Sequence, residues 1–198
     1  MKLLLLDNYD SFTYNLAQII EENWDGQLDI VKNDQIEIHE VESYDAIILS
    51  PGPGLPQEAG MMPTIIKKYH ALKPILGVCL GHQALAEFFG ARLKNLDAVY
   101  HGVHSETKVI DNGNIIFQGV SNPFKAGRYH SWAVEKVAFP SSLIISAQST
   151  DGEIMALRHQ SLPLYGVQFH PESYLTKEGE KMVKNFLEMI NTIGHRNH

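Results

Sequence analysis

Short apolar runs alternate with helical patterns along the first half of the chain. The predicted elements follow one another as strand 2–6, helix 12–20, strand 28–31, strand 46–49, helix 62–69, strand 75–78 and helix 80–89. Strands that are apolar along their whole length and separated by helices are typical of a parallel sheet covered on both faces. This half therefore predicts an α/β fold, with an open, flavodoxin-like, mostly parallel central sheet and helices on both faces.

The pattern changes at about residue 91, where strand-like stretches are separated by turn signals such as D-N-G and T-D-G-E. These stretches predict a smaller antiparallel sheet with strands at 93–96, 104–110, 115–117, 131–134, 143–147, 155–158 and 164–169. A last helix is predicted at 177–190. No repeat or flexible linker divides the chain, so we expect a single domain over residues 1–194 and a polar tail at 195–198.

Composition narrows the classes of protein that the chain can represent. The 198 residues carry a formal net charge of −7, with no cluster of Lys and Arg. A nucleic acid or an anionic membrane is therefore not expected as a partner, since phosphate binding needs a basic surface. One cysteine cannot form an internal disulfide, and the apolar run near the N-terminus is too short for a signal peptide. We expect a cytoplasmic protein.

The single cysteine, Cys79, lies where the strand at 75–78 passes into the helix at 80–89, in the pattern G-V-C-L-G. A reactive side chain on such a turn needs glycines two residues to either side, here Gly77 and Gly81, because larger residues would collide with neighbouring elements. The N–H groups of the first helical turn stabilise negative charge beside it. The pattern predicts a nucleophile elbow. The alternative is a buried cysteine that acts only as a small apolar residue.

A thiolate nucleophile needs a base, and the pattern F-H-P-E-S distinguishes His170 from the other histidines. Pro171 ends the strand, so Glu172 can reach and orient the imidazole, which completes the logic of a triad. The alternative is a histidine that only caps its own turn. His101 and His104 form an H-x-x-H pair, but a zinc site generally needs three or four ligands.

The segment S-P-G-P-G-L-P, at 50–56, follows the strand predicted at 46–49. Glycine and proline clusters are usual in surface turns. At the carboxyl end of a parallel strand, however, a rigid loop can present backbone N–H groups to the crevice where α/β sheets bind ligands. Such donors would form half of an oxyanion hole, and the N–H of Leu80 would form the other half.

Taken together, S-P-G-P-G, G-V-C-L-G-H-Q and F-H-P-E-S resemble the motifs of the class I (triad) glutamine amidotransferases, in this order and at these intervals. The N-terminal D-N-Y-D-S-F-T-Y-N-L and the R-Y-H-S at 128–131 narrow the resemblance. They are similar to the glutaminase subunit, component II, of anthranilate synthase and of 4-amino-4-deoxychorismate synthase. The resemblance covers nearly the whole chain.

The resemblance implies roles for individual residues. Cys79 would attack the side-chain amide of glutamine, and His170, oriented by Glu172, would protonate the leaving ammonia. The N–H groups of Gly54 and Leu80 would stabilise the oxyanion of each tetrahedral intermediate. The residues implied in substrate binding are Gly52, Pro53, Gly54, Leu80, Gln83, Ser131 and Trp132.

The resemblance also implies a heteromer in which ammonia passes to a chorismate-using synthase subunit, component I. No cofactor is expected in this chain, and Mg²⁺ is expected only in the partner. One position departs from the family: where a lysine is usual in H-G-V-H-S-E, this chain has Val103. The departure affects any partner contact that the lysine would make, not the chemistry of glutamine.

Other functions remain open at this point. The same scaffold can serve another synthase as its glutaminase subunit, or hydrolyse γ-glutamyl bonds. Gln83 and R-Y-H-S favour a site closed around free glutamine. A binding or regulatory module without activity is a further alternative, against which the intact set Cys79, His170 and Glu172 argues.

Overall fold

A mixed central sheet of nine strands organises the computed structural model, which describes residues 1–196. The strands are β1 (Lys2–Asp7), β2 (Gln27–Lys32), β3 (Ala46–Leu49), β4 (Ile75–Val78), β5 (Leu93–Asn95), β6 (Val103–Val109), β7 (Phe124–Arg128), β8 (Trp132–Val134), β9 (Leu143–Ser149), β10 (Ile154–His159) and β11 (Leu164–Val167). The α-helices are α1 (Thr13–Asn23), α2 (Met62–Tyr69), α3 (Leu80–Phe88) and α4 (Gly179–Arg196). Short 3₁₀ turns occupy Glu40–Ser43, Pro56–Glu58 and Ile115–Phe117.

The strand order of the central sheet is β2-β1-β3-β4-β11-β10-β9-β6-β7. The first five strands of this order are parallel, and their arrangement is that of a flavodoxin-like sheet. The next four are antiparallel, and β5 pairs with β8 in a separate two-stranded antiparallel sheet. The predicted fold class is confirmed. The antiparallel strands, however, mostly extend the central sheet and only β5 and β8 stand apart.

The apolar run of β1 shows why the parallel strands are buried on both faces. Leu3 and Leu5 pack into a core that includes residues of α1 and α4, whereas Leu4 and Leu6 pack into a second core with α2 and α3. Successive side chains of a strand point to opposite faces, so a strand covered on both sides must be apolar at every position.

Three features of the second half differ from the prediction. The strand predicted at 164–169 as part of the antiparallel sheet is β11, which pairs in parallel with β4 in the central sheet. The segment predicted as a strand at 115–117 is a 3₁₀ turn, in which the side chain of Asn114 accepts a hydrogen bond from the N–H of Ile116. Strand β7, with the sequence F-K-A-G-R, was not predicted, because a glycine and two basic residues interrupt its apolar pattern.

The last helix is longer than predicted. Helix α4 begins at Gly179 and continues to Arg196, so it includes the first part of the polar tail expected at 195–198; residues 197–198 lie outside the described residues. None of the helices in the described part of the chain is long and apolar enough to cross a membrane.

Candidate active site

Cys79 is the first residue after β4 and has φ 52° and ψ −99°, a conformation that a side chain makes costly. The neighbouring glycines explain how the turn fits. A Cβ on Gly77 would lie 2.5 Å from the backbone of Gly81, and a Cβ on Gly81 would lie 2.6 Å from the Cβ of Leu49. The strand-to-helix turn therefore requires both glycines, as expected for a nucleophile elbow.

Strand β11 brings the second motif to the same place. It pairs in parallel with β4, with Val167 opposite Val78, and the N–H of Cys79 donates to the carbonyl of Val167 at 2.8 Å. The segment that follows β11 consequently runs beside the nucleophile. His170 lies in this segment and is buried.

His170 is held by hydrogen bonds on both its backbone and its ring. Its N–H donates to the carbonyl of Gly127 at 3.0 Å, and the hydroxyl of Thr176 donates to its carbonyl at 2.8 Å. The ring Nδ1 lies 2.6 Å from Oε1 of Glu172, whose side chain is also buried. Because an ionised carboxylate only accepts, Nδ1 carries the hydrogen and Nε2 is left to exchange a proton.

Electrostatics distinguish His170 from the other buried histidines near the site. Burial lowers the pKa of His82 to about 3. Burial, and then the charge of Arg128, lower the pKa of His130 to about 4. Burial also acts to lower the pKa of His170, but the charge and hydrogen bonding of Cys79 and then of Glu172 outweigh it and raise that pKa well above its usual value. His170 is thus the buried histidine that can hold a proton near neutral pH.

The second ring nitrogen of His170 lies outside the hydrogen bonds that hold the residue. Nε2 of His170 is buried and makes no hydrogen bond of ordinary geometry to any described residue. Two aromatic rings cover the imidazole: the ring centroids of Phe12 and Tyr129 lie 5.3 Å and 4.9 Å from that of His170.

The S-P-G-P-G loop lies against the elbow. The backbone N–H of Asn8 donates to the hydroxyl of Ser50 at 2.8 Å. The side-chain amide of Asn8 donates to the carbonyl of Ser50 at 2.9 Å. A Cβ on Gly52 would lie 2.6 Å from the Cβ of Asn8 and 2.9 Å from Cδ2 of Leu80. Asn8, which follows β1, was not predicted as part of the site, although the end of a parallel strand is where such residues lie.

The two predicted oxyanion donors have no partner inside the described chain. Neither the N–H of Gly54 nor that of Leu80 forms a hydrogen bond there. Gly54 has φ +74°, which favours glycine, and the carboxylate of Glu58 accepts from the N–H of Leu55 at 2.8 Å and so braces this part of the loop. Pro53 is exposed beside Gly54.

Gln83 and Gln168 link the elbow to β8. Nε2 of Gln83 donates to the carbonyl of Trp132 at 2.9 Å and to Oε1 of Gln168 at 3.0 Å. Nε2 of Gln168 lies 3.6 Å from Sγ of Cys79. Gln168 was not predicted, although a polar residue between the apolar Val167 and Phe169 in G-V-Q-F-H is a signal that could have identified it.

The segment R-Y-H-S, at 128–131, provides a second hydrogen bond to the carbonyl of Trp132. Nε of Arg128 donates to Nε2 of His130 at 3.1 Å, so Nδ1 of His130 carries the hydrogen that bonds to the carbonyl of Trp132 at 2.8 Å. Arg128 is fully buried and pairs with Asp151 at 2.9 Å. Neither Arg128 nor His130 was assigned a role from the sequence, because the bonds that define these roles cross between segments.

Two positions from the sequence analysis take no part in this network. The side chain of Ser131 forms no hydrogen bond to a described residue, and its carbonyl accepts from the N–H of Leu96 at 2.8 Å. Val103 opens β6 with an exposed side chain. Within residues 1–196, no group of three or more His, Cys, Asp or Glu is arranged to hold a metal ion.

A comparison with protein families identifies the family of the chain. The family model described as glutamine amidotransferase class-I matches residues 4–190. The chain belongs to the class I glutamine amidotransferase family.

Similar proteins of known name include a component 2 protein and a larger bifunctional protein. An aminodeoxychorismate/anthranilate synthase component 2 from Bacillus subtilis is 46% identical over 188 residues, which are 94% of this chain and 95% of that protein. The bifunctional protein TrpGD from Thermotoga maritima is 46% identical over 191 residues, which are 95% of this chain. This chain spans only 32% of the length of TrpGD.

A solved structure in the comparisons has the same fold as this class I glutamine amidotransferase. The crystal structure of a Thermoplasma acidophilum protein assigned to GMP synthase has a TM-score of 0.87 and 25% sequence identity to this chain. The superposition covers 100% of this chain and 97% of the other.

Proposed function

We propose that this chain is a glutaminase subunit that hydrolyses glutamine to glutamate and ammonia through a cysteinyl thioester. The observation that carries the proposal is the buried 2.6 Å bond from Nδ1 of His170 to Glu172, placed beside a cysteine on a strained turn. A neutral thiol is a weak nucleophile, and an adjacent base held in one tautomer activates it.

In the proposed reaction the Cys79 thiol passes its proton to Nε2 of His170, and the sulfur attacks the amide carbon of glutamine. The tetrahedral intermediate collapses when His170 returns the proton to the departing amine, which leaves as ammonia. Water then attacks the thioester while His170 accepts a proton from it, and the thiol is restored as glutamate leaves. One glutamine and one water are thereby converted to one glutamate and one ammonia.

Two backbone donors support the oxyanion of each intermediate in this mechanism, the N–H groups of Gly54 and Leu80. Their lack of partners in the described chain and the close approach of Gly52 to Leu80 favour this role. Loss of one such donor costs roughly 3–4 kcal/mol in comparable sites.

We assign the remaining substrate contacts to the loop and to the residues around β8. Gly52, Pro53 and Gln83 are the candidates on the elbow side, and Ser131 and Trp132 on the other. In support, both side-chain hydrogens of Gln83 are already used, by Trp132 and Gln168, so its Oε1 is left to accept from a substrate.

We further propose that this chain forms a heteromer with a chorismate-using synthase, component I, which receives the ammonia. The names of the relatives, component 2 of anthranilate or aminodeoxychorismate synthase, support this. A large exposed side chain next to the triad suits a docking partner: Tyr174, two residues after Glu172, is 84% exposed. No cofactor is proposed for this chain, and Mg²⁺ is expected only in the partner.

The test uses the chain reconstituted with a chorismate-using component I. The variant Cys79→Ala should lose product formation from glutamine and keep product formation from added ammonia, because only the glutaminase step needs the thiol. Continued turnover of glutamine in this variant would show that Cys79 is not the nucleophile.

A second candidate function is the glutaminase subunit of another synthase, which the superposition on the protein assigned to GMP synthase favours. Separate mixtures with a chorismate-using synthase and with the synthetase component of a GMP synthase distinguish the two. The true partner should raise glutamine hydrolysis and capture the ammonia, and stimulation by the GMP-forming component alone would overturn the first assignment.

A further inference from the structure

The side chain of Gln168 is fully buried next to the nucleophile, and the mechanism described so far does not use it. Its position follows from the parallel pairing of β4 with β11, since Cys79 and Gln168 each directly follow a paired residue. The N–H of Gln168 donates to the carbonyl of Met155 at 2.9 Å, which fixes the backbone on the neighbouring strand β10.

Hydrogen bonding decides which end of the Gln168 amide faces the sulfur. The carbonyl of Trp132 can only accept, so the atom of Gln83 that faces it must be the amide nitrogen. That nitrogen donates its second hydrogen toward Gln168, which must therefore present its oxygen. The remaining end of Gln168, 3.6 Å from Sγ of Cys79, is the amide nitrogen.

The donors and acceptors of Arg128 and His130, which also hold the carbonyl of Trp132, are equally well determined. The guanidinium of Arg128 can only donate, so Nε2 of His130 accepts and Nδ1 donates to the carbonyl of Trp132. An Asp151 carboxylate in turn holds Arg128. The donor that faces Cys79 is consequently oriented by groups from three segments of the chain: α3, residues 128–132, and Asp151.

We propose that Gln168 is a catalytic residue whose side-chain N–H donates a hydrogen bond to the sulfur of Cys79 and stabilises its thiolate. This inference rests on the proposed glutaminase function. A donor to a charged sulfur is stronger than a donor to a neutral one, so it favours transfer of the thiol proton to His170.

The same bond acts in both halves of the reaction. In the first half the thiolate is the nucleophile. In the second half the thiolate is the leaving group, released when the C–S bond breaks and its electron pair returns to sulfur. A group that stabilises the thiolate therefore favours its formation in the first half and lowers the barrier to its expulsion in the second.

Few other groups titrate around the sulfur. The histidines and the carboxylate closest to Cys79 in the hydrogen-bond network and along α3 are His82, His130, His170 and Glu172. The same elements also carry Arg128 at the end of β7, Glu87 near the C-terminal end of α3, and Tyr165, which is opposite Leu76 on β4. Burial raises the pKa of Glu87 and of Tyr165. The lowered pKa values of His82 and His130 keep both neutral above pH 5. A change in thiol reactivity with pH therefore reports on Cys79 and His170.

The experiment measures the rate of Cys79 alkylation by iodoacetamide from pH 5 to pH 9, with no glutamine and no partner. The variant Gln168→Met keeps the approximate size and removes the donor, and Gln168→Glu keeps the acceptor for Gln83 and replaces the donor with an acceptor. We expect the pH midpoint of alkylation to rise by about one unit in Gln168→Met and further in Gln168→Glu. The control Gln118→Glu makes the same change on an exposed side chain and should leave the midpoint in place.

An unchanged midpoint in a folded Gln168→Met protein would overturn the proposal. If both variants fail to fold, the native protein still provides a test by nuclear magnetic resonance. The side-chain amide signals of Gln168 should shift when Cys79 is alkylated, whereas those of Gln118 should not, and a Gln168 signal that does not respond would contradict the hydrogen bond.

The test of the hydrogen bond from Gln168 can fail or succeed independently of the proposed glutaminase function. Alkylation requires no glutamine, so a protein that shows the midpoint shift but hydrolyses no glutamine, alone or with a synthase, would refute the glutaminase assignment and retain the bond. Glutamine hydrolysis that depends on Cys79, together with an unshifted midpoint, would do the reverse.

Discussion

Cys79 and His170 follow neighbouring strands of one sheet, yet the protein holds the two residues by different means. Cys79 is placed by backbone shape, through a positive φ and two glycines that leave no room for a side chain. His170 is placed by side chains, through the carboxylate of Glu172 and the hydroxyl of Thr176. The nucleophile should therefore be sensitive to changes of volume, and the base to changes of hydrogen bonding that preserve the fold.

The variant with the largest expected effect is Glu172→Gln, which tests the hydrogen bond that places His170. An amide has nearly the same shape as the carboxylate but can donate to Nδ1, which releases His170 from the required tautomer. We expect the rate of glutamine hydrolysis to fall roughly 10³- to 10⁴-fold. Steady-state hydrolysis by the reconstituted complex measures it, with Glu180→Gln, on an exposed side chain, as the control. A loss below about tenfold would mean that the tautomer does not limit the rate.

The variant Gly77→Ala tests the close packing of the turn that places Cys79. Its methyl group would lie 2.5 Å from the backbone of Gly81, so strand and helix must move apart. We expect the free energy of unfolding to fall by about 3 kcal/mol. Urea denaturation measures the change. Gly113→Ala is the control, because the nearest atom there belongs to the flexible end of Arg158; equal losses in the two variants would contradict the steric argument.

A smaller effect should appear on acidification. His82 has its pKa lowered to about 3 by burial, so the unfolded chain binds a proton at this residue below pH 6.5 and the folded chain does not. Its contribution is present above pH 6.5 and is lost as the pH falls toward 3, at about 1.4 kcal/mol for each pH unit. Urea denaturation of native protein and His82→Leu at pH 7 and pH 5 measures the difference, and parallel losses would refute the assignment to His82.

The smallest expected effect concerns the strain at Cys79 itself. A residue with a Cβ at φ 52° is destabilised relative to glycine, and the greater freedom of glycine in the unfolded chain offsets part of the gain. The free energy of unfolding of Cys79→Gly should accordingly be higher than that of Cys79→Ala by about 1 kcal/mol. Equal denaturation curves for these two inactive variants would indicate that the turn returns to a negative φ when the thiol is absent.

The two halves also differ in how far the sequence predicted them. Strands β1, β3 and β4 are buried on both faces and read as uninterrupted apolar runs. Strand β7 lies at the end of the sheet, pairs only with β6, and contains Lys125 and Gly127, so no apolar period marks it. The run at 115–117 is apolar but too short to choose between strand and turn, and a cap from Asn114 decides for the turn.

The site divides along similar lines. Cys79, His170 and Glu172 could be selected as candidates because each lies in a local sequence motif. Gln168 and His130 were not, since their hydrogen bonds depend on the register of β11 against β4 and on a carbonyl of a third segment. Local patterns select candidate reactive groups, whereas the groups that orient them depend on which strands become neighbours.

Strand β11 is the last strand in the chain but lies near the middle of the sheet, between β4 and β10. During synthesis on a ribosome, the edge of β4 that will carry Cys79 stays unpaired until residues 164–167 have been made. The thiol, its base and the Gln168 donor can therefore come together only after β11 has been made. Nascent or prematurely terminated chains that lack β11 should carry an inert cysteine, which couples the onset of ammonia release to completion of the fold.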